Sequence, residues 1–108
     1  MTDELPFEPK EIKAFLDEEG RVKAMPSKRR KQLIVLHYIA GRIPLKAEES
    51  CTESDMNGLL NRLITYGDPA TLRRDLVDLC LLNRTKDGTK YWLPEDPPAL
   101  EKLLSSCL

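Results

Sequence analysis

The stretch Asp68–Leu93, DPATLRRDLVDLCLLNRTKDGTKYWL, decides the fold. Its first half predicts an amphipathic helix. Asp68 is a residue type that caps helix N-termini, and Pro69 suits the first helical position. The apolar positions that follow at the spacing of one helical face are Leu72, Leu76, Leu79 and Cys80.

The second half of this stretch predicts a hairpin. Asp87 and Gly88 form the pair that a two-residue type I′ turn requires, and the strands are expected at 82–85 and 90–93. A helix followed by such a hairpin is typical of the recognition helix and wing of a winged helix-turn-helix. That fold serves both DNA-reading domains and protein-docking modules.

Helical segments are expected on both sides of this stretch. The segments are 9–18, 28–41, 52–66 and a short helix in the tail 94–108, with a short extended piece at 21–25. Ser27 and Thr52 are the expected caps of the second and third segments, and Asp55 completes a capping box after Thr52. The glycine-containing turn between 52–66 and Asp68 predicts a helix-turn-helix unit.

These elements predict one α+β, mostly α domain over residues 1–108. An N-terminal helix and short strand occupy 9–26, a winged helix-turn-helix core occupies 27–93, and a helical tail occupies 94–108. Residues 33–40 are apolar almost all round, so this helix needs cover on most sides. The terminal segments or a second protomer are the candidates, and the sequence thus favours a homodimer.

Composition is that of a soluble globular domain. The 108 residues are 41% hydrophobic and 32% charged, and no run approaches the roughly 18 apolar residues that a membrane span needs. The N-terminal residues lack the basic and apolar regions of a signal peptide. Three widely spaced cysteines (51, 80 and 107) predict free thiols in a reducing compartment. We therefore expect a cytoplasmic protein with no membrane partner.

The charge is unevenly distributed. Residues 1–20 carry two basic and seven acidic side chains, whereas residues 21–46 carry eight basic side chains and no acidic one. The basic segment contains Lys28, Arg29 and Arg30, which are candidates for contact with phosphates. The alternative is a solvated helix start, or pairing with the acidic N-terminal residues.

The helix and hairpin at 68–93 carry the other candidate DNA-binding residues. They are Thr71, Arg73 and Arg74 on the helix and Arg84, Lys86 and Lys90 on the hairpin. Arg74 is expected to point most directly outward and to pair with a guanine edge, and the hairpin charges suit phosphates. Asp75 and Asp78 make the helix neutral overall, and Val77 is expected to be exposed. These three residues favour a protein interface instead.

The sequence predicts no enzyme, cofactor or metal site. It contains no Gly-rich phosphate loop and no CxxC or HxxxH pair, and its single histidine, His37, is expected to pack in the core. Glu53 and Asn57 lie four residues apart, and we assign them to the capped start of a helix.

Three segments resemble a bacterial domain family of unknown function that occurs alone or appended to ArsR-type winged-helix repressors. The segments are FLDEEGRVKAMPSKRRKQLIVL (15–36), TESDMNGLL (52–60) and DPATLRRDLVDLCLLNRTKDGTKYW (68–92). Ile43 and Cys51 stand where aromatic residues are expected. The resemblance implies a small winged-helix-like module associated with transcription regulators, and it implies no activity.

Two hypotheses follow. The first is a winged-helix module that binds double-stranded DNA and regulates transcription as a homodimer. The alternative is a non-enzymatic module for protein interaction, ligand sensing or dimerisation, with a regulator protein as its partner.

Overall fold

The computed structural model describes residues 11–46 and 48–107 and places four helices around a small antiparallel sheet. The elements in chain order are α1 (Arg29–Ala40), β1 (Ser50–Cys51), α2 (Glu53–Asn61), α3 (Pro69–Asp78), β2 (Asn83–Arg84), β3 (Tyr91–Trp92) and α4 (Leu100–Cys107). The predicted α+β, mostly helical class is confirmed. None of the described helices is long and apolar enough to cross a lipid bilayer.

The sheet joins the strand before α2 to the hairpin after α3. Its order is β1-β3-β2, and both pairings are antiparallel. Tyr91 therefore lies in the central strand, opposite Cys51 of β1 on one side and Arg84 of β2 on the other. This arrangement holds the hairpin beside the start of α2, because β1 is separated from that helix by one residue.

Helix α3 begins as the sequence predicts but ends earlier. Asp68 Oδ1 accepts the Thr71 N–H at 3.3 Å, and Pro69 is the first helical residue. The helix ends at Asp78, and Cys80 has a left-handed backbone with φ 63°. The expectation that Cys80 continues the buried apolar face is therefore wrong, and its side chain is exposed.

Two backbone hydrogen bonds explain this end of α3. The Cys80 N–H donates to the Val77 carbonyl at 3.0 Å, and the Leu81 N–H donates to the Leu76 carbonyl at 2.9 Å. This pair of bonds is the Schellman motif, which satisfies the last carbonyls of a helix. Leu76 and Leu81, at the two positions that commonly make an apolar contact in this motif, are both buried in the core.

The hairpin forms, but its turn differs from the predicted one. A type I′ turn needs positive φ at both central residues, and only Gly88 of the Asp87-Gly88 pair has it, at 72°. Instead the Gly88 N–H donates to the Thr85 carbonyl, and the Thr85 N–H donates to the Lys90 carbonyl, both at 3.0 Å. The loop is therefore wider than two residues, and the regular strands are shorter than predicted.

Helix α1 begins one residue later than a Ser27 cap requires. Lys28 occupies the capping position, and its side chain makes no capping hydrogen bond. Gln32 Nε2 donates to the Pro26 carbonyl at 2.9 Å, which ties the first turn of α1 to the preceding segment. This tie fixes the approach of the chain without a serine cap.

The apolar helix α1 is covered within one chain. Its buried residues are Leu33, Ile34, Val35, Leu36 and Ile39. Helices α3 and α4 pack against it, and α4 contributes Leu100 and Leu103 to the core. The helical tail thus provides the expected cover. Tyr66, 38% exposed, is the one large hydrophobic side chain exposed among residues 11–46 and 48–107.

The described part of the N-terminal segment does not form the predicted helix over 9–18. Residues 9 and 10 lie outside the described chain, and the longest helical run in the described part of this segment is the short 3₁₀ turn Lys13–Phe15. Asp17 Oδ1 accepts the N–H groups of Glu19 and Arg21 at 2.9 and 2.8 Å. These bonds turn the chain back, so that Leu16 pairs with Val22 instead of continuing a helix.

The segment around Val22 also decides where α2 ends. Thr52 Oγ1 accepts the Asp55 N–H at 3.1 Å, which confirms the predicted cap. The helix ends at Asn61, not near residue 66, because Val22 pairs with Ile64. The Val22 N–H donates to the Leu63 carbonyl, and its carbonyl accepts the Thr65 N–H, both at 2.9 Å.

Candidate functional site

A cleft lies between the start of α2, the outer side of α3 and the hairpin. Its volume is about 290 Å³. Its lining residues are Glu53, Arg73, Arg74, Val77, Asp78, Arg84 and Tyr91. We call it the arginine cleft, since three guanidinium groups from two elements meet there.

Arg73 is held inside the molecule by contacts with two other elements. Its Nη1 donates to Asn57 Oδ1 on α2, and its Nη2 lies 3.7 Å from Glu53 Oε1. Its guanidinium carbon lies 5.5 Å from the centre of the Tyr91 ring on β3, a cation–π distance. Only 15% of the Arg73 side chain is exposed. The residue joins α2, α3 and the sheet, rather than flanking Arg74 on the outer face.

Arg74 and Arg84 line the cleft from two different elements. Arg74 lies on α3 and Arg84 on β2, and both are exposed. Neither forms an ion pair within 4 Å with a described residue. These two guanidiniums are therefore available to an incoming anion or base edge. Thr71 lies one turn before Arg74 and is also exposed, so the two share one face of α3.

Acidic groups interrupt the positive charge of α3. Asp75 is half-buried, and burial, together with the nearby Asp78 carboxylate, raises its pKa, whereas Arg29 and Arg74 act to lower it. Asp78 is exposed and also lines the arginine cleft. Val77 is half-buried and packs against the core, so the expectation of an exposed apolar residue there is wrong.

The tip of the hairpin is organised by one carboxylate. Asp87 Oδ1 accepts hydrogen bonds from Thr85 Oγ1 at 2.7 Å, Thr89 Oγ1 at 2.8 Å and the Thr89 N–H at 3.1 Å. These hydrogen bonds, that from Thr85 above all, lower the pKa of Asp87. Lys86 and Lys90 flank the tip and are exposed. The tip therefore presents two ammonium groups on a loop with a defined shape.

The basic segment at the start of α1 lies apart from the arginine cleft. Lys28, Arg29 and Arg30 are exposed, and none of them lines the cleft. Arg29 Nε donates to the Cys107 carbonyl at 3.4 Å, so it contacts the end of α4. Arg30 Nε lies 3.2 Å from Glu11 Oε2, which is the pairing with the acidic N-terminal segment considered above as the alternative.

Sequence reasoning missed two residues that line the cleft, Glu53 and Tyr91, and a third, Asn57, that holds Arg73 in place. The signal for Glu53 and Asn57 was their spacing, because residues four apart share one helical face. We assigned that pair to capping, and Thr52 alone provides the cap. Tyr91 carries no local signal for the site, since its contact with Arg73 depends on how the hairpin packs.

The histidine and the cysteines lie outside the arginine cleft. His37 is half-buried, and burial lowers its pKa. The cysteines are free thiols, as predicted, and burial together with Asp55 raises the pKa of Cys51. Over residues 11–46 and 48–107, no three metal-ligating side chains come together.

Comparison with known proteins gives a family and no close relative. No curated protein and no solved structure matches the chain. Residues 21–93 match the family described as "Uncharacterized protein conserved in bacteria (DUF2087)". The match runs from the segment around Val22 to the end of β3 and includes the whole arginine cleft. The chain therefore belongs to the bacterial family DUF2087.

Proposed function

We propose that this chain is a winged-helix module that binds double-stranded DNA as part of bacterial transcription regulation. The order α1-β1-α2-α3-β2-β3, with β1 pairing to β3, supports this assignment. In it, α2 and α3 form the helix-turn-helix, α3 is the recognition helix, and the hairpin is the wing. The resemblance to domains appended to ArsR-type repressors points to the same association with transcription regulators.

The arginine cleft is the observation that carries the proposal. Arg74 on the recognition helix and Arg84 on the wing face one space, and both are free of ion pairs with described residues. A DNA strand that passes between the helix and the wing would meet both groups. Arg74 is placed to reach a base edge, while Arg84, Lys86 and Lys90 are suited to phosphates.

The alternative, a protein-docking module, is favoured by the acidic groups on the same face. Asp75 and Asp78 adjoin Arg74, so the outer side of α3 alternates in charge. A duplex backbone is repelled by such carboxylates, whereas a protein partner with both charges can match them. The test below separates the two functions.

The test is the binding of a mixed-sequence 20-base-pair duplex, followed by fluorescence anisotropy at several salt concentrations. For a DNA-binding module, the logarithm of the association constant falls linearly with the logarithm of the salt concentration, by about 0.9 per phosphate contact. Lys86→Ala is expected to weaken binding to every duplex and to reduce this slope by about 0.9. A preferred duplex is also selected from a random pool with the wild-type protein. Arg74→Ala is expected to bind this duplex no more tightly than the mixed-sequence duplex.

The matched control is Lys13→Ala, which removes one exposed positive charge from the 3₁₀ turn outside the arginine cleft. It is expected to leave the salt slope unchanged. If wild type shows no binding to duplex at about 50 mM salt, the DNA proposal fails and protein docking takes its place. If Lys13→Ala and Lys86→Ala weaken binding equally, the wing has no specific role.

A further inference from the structure

The arginine cleft contains a guanidinium whose binding capacity is only partly used. Arg73 Nη1 is hydrogen-bonded to Asn57, but among the described residues Nη2 has as its partner only the Glu53 carboxylate at 3.7 Å, beyond hydrogen-bond distance. The Glu53 side chain is 52% exposed, and its Oε1 also lies 3.5 Å from the Tyr91 hydroxyl. Glu53 therefore makes long contacts at the mouth of the cleft, where a better acceptor can replace it.

We propose that the arginine cleft is a phosphate-binding site in which Glu53 occupies part of the phosphate position. Arg73 Nη2 and the Arg84 guanidinium are the donors, and the phosphate displaces the Glu53 carboxylate into solvent. Phosphate suits this position because a guanidinium binds its oxygens with paired, charge-assisted hydrogen bonds. The phosphate comes either from the DNA backbone or from a free phosphate ion. Only the first of these sources rests on the proposed function.

Three features of the site favour such an exchange. Arg73 is already fixed by Asn57 and by the Tyr91 ring, so little side-chain freedom is lost when it binds an anion. Arg84 is free of ion pairs with described residues and lines the same cleft. Finally, the Glu53–Arg73 pair is solvent-exposed on the glutamate side, and exposed pairs of this kind are weak. Glu53 thus acts as a competitor that lowers the affinity of the site.

The experiment compares Glu53→Gln with Asp78→Asn in the duplex-binding assay. Both variants remove one carboxylate from the wall of the arginine cleft, but only Glu53 pairs with Arg73. Glu53→Gln is expected to raise affinity about fivefold at 100 mM salt, because the phosphate no longer has to displace a carboxylate from Arg73. The salt slope is expected to stay unchanged, because Arg73 contacts the phosphate in both proteins. Asp78→Asn is expected to raise affinity less, because Asp78 does not occupy the position of the phosphate beside Arg73.

A second arm uses sodium phosphate in place of DNA. The NMR shifts of the Arg73 and Arg84 side-chain N–H groups are followed as phosphate is added. Saturating shifts at both residues, with a lower dissociation constant in Glu53→Gln than in wild type, are expected if the cleft holds a single phosphate. Arg84→Gln serves as the loss-of-site variant and is expected to abolish saturation at Arg73.

The outcomes separate this inference from the proposed function. If duplex binds and Glu53→Gln raises affinity more than Asp78→Asn does, both stand, and the backbone is the source. If duplex does not bind but phosphate does, and Glu53→Gln binds it more tightly, the DNA proposal fails and a free-phosphate site remains. If duplex binds and Glu53→Gln behaves like Asp78→Asn, the Glu53 exchange is overturned while DNA binding stands. If neither ligand binds, both are overturned.

Discussion

Cys80 carries a β-carbon in a backbone conformation that favours glycine. Its φ of 63° closes the Schellman motif after α3, and its side chain is exposed, so side-chain burial does not offset the strain. A left-handed conformation costs an ordinary residue about 1–2 kcal/mol, whereas glycine adopts it readily. Part of this advantage is lost, because a glycine gives the unfolded protein more conformational entropy.

Cys80→Gly is accordingly expected to raise the free energy of unfolding by about 0.5–1 kcal/mol, measured by urea denaturation. Cys80→Ala is the control, because alanine removes the thiol and keeps the β-carbon. It is expected to leave stability close to that of wild type. Equal stabilisation by both substitutions would show that the thiol, and not the backbone angle, is responsible.

Arg73 and Arg74 are sequence neighbours with opposite roles. Arg73 is largely buried against Asn57, Glu53 and Tyr91, whereas Arg74 is exposed. Arg73→Met is therefore expected to lower the free energy of unfolding by about 1–2 kcal/mol, because it removes the hydrogen bond to Asn57 and the cation–π contact with Tyr91. Arg74→Met is expected to change stability by less than about 0.5 kcal/mol. Denaturation of the two variants measures the difference, and equal effects would contradict the buried role of Arg73.

At the scale of the element, the hairpin has a tip whose hydrogen bonds depend on pH. The pKa of Asp87 is lowered from 3.8 because Thr85 and Thr89 donate hydrogen bonds to the carboxylate. A lowered pKa in the folded state means that the ionised group stabilises the hairpin at pH values above 3.8. This contribution is lost as the pH falls through the lowered value.

The Thr89 amide resonance is therefore expected to titrate with a midpoint below pH 3.8. Its N–H donates to Asp87 Oδ1, so its chemical shift reports protonation of that carboxyl group. Asp87→Asn is expected to abolish the titration at Thr89. A midpoint at or above 3.8 in wild type would mean that the tip hydrogen bonds do not stabilise the carboxylate.

The helix ends that depend on neighbouring residues were predicted from the sequence, and the helix end that depends on a residue far away in the chain was not. The Thr52 and Asp68 caps need only the residue three positions ahead, and both are confirmed. The end of α2 depends on Val22, which lies about forty residues earlier and pairs with Ile64. Periodicity alone continues that helix, because Leu63 and Ile64 fit its apolar face.

The candidate site divides in the same way. Arg74 and Arg84 were predicted because each lies on the outer side of an element with a clear sequence pattern, and the structure places both in one cleft. The inward position of Arg73 was not predicted, because its partners come from α2 and β3. A helical wheel shows where a side chain points, and it carries no information on what another element places opposite.

At the scale of the whole molecule, part of the charge asymmetry of the sequence is neutralised by folding. Arg21 pairs with Asp17 and Glu19, and Arg30 pairs with Glu11, so the acidic and basic segments contact each other. Part of the excess positive charge of residues 21–46 is therefore used in ion pairs within the molecule. The charges that remain free at the arginine cleft come from α3 and the hairpin, although the 61–93 segment is nearly balanced in sequence.

The position of Tyr91 has a consequence for any ligand of the cleft. Its strand is paired on both sides, and its ring lies against Arg73, so the hairpin is fastened to α2 and α3 at once. The distance between the two walls of the cleft, α3 and the hairpin, is therefore set when the chain folds, and it limits the width of a ligand that can bind. A ligand that fits this width binds without the entropy cost of ordering the backbone of the site. A thicker ligand must first break a strand pairing or displace Arg73.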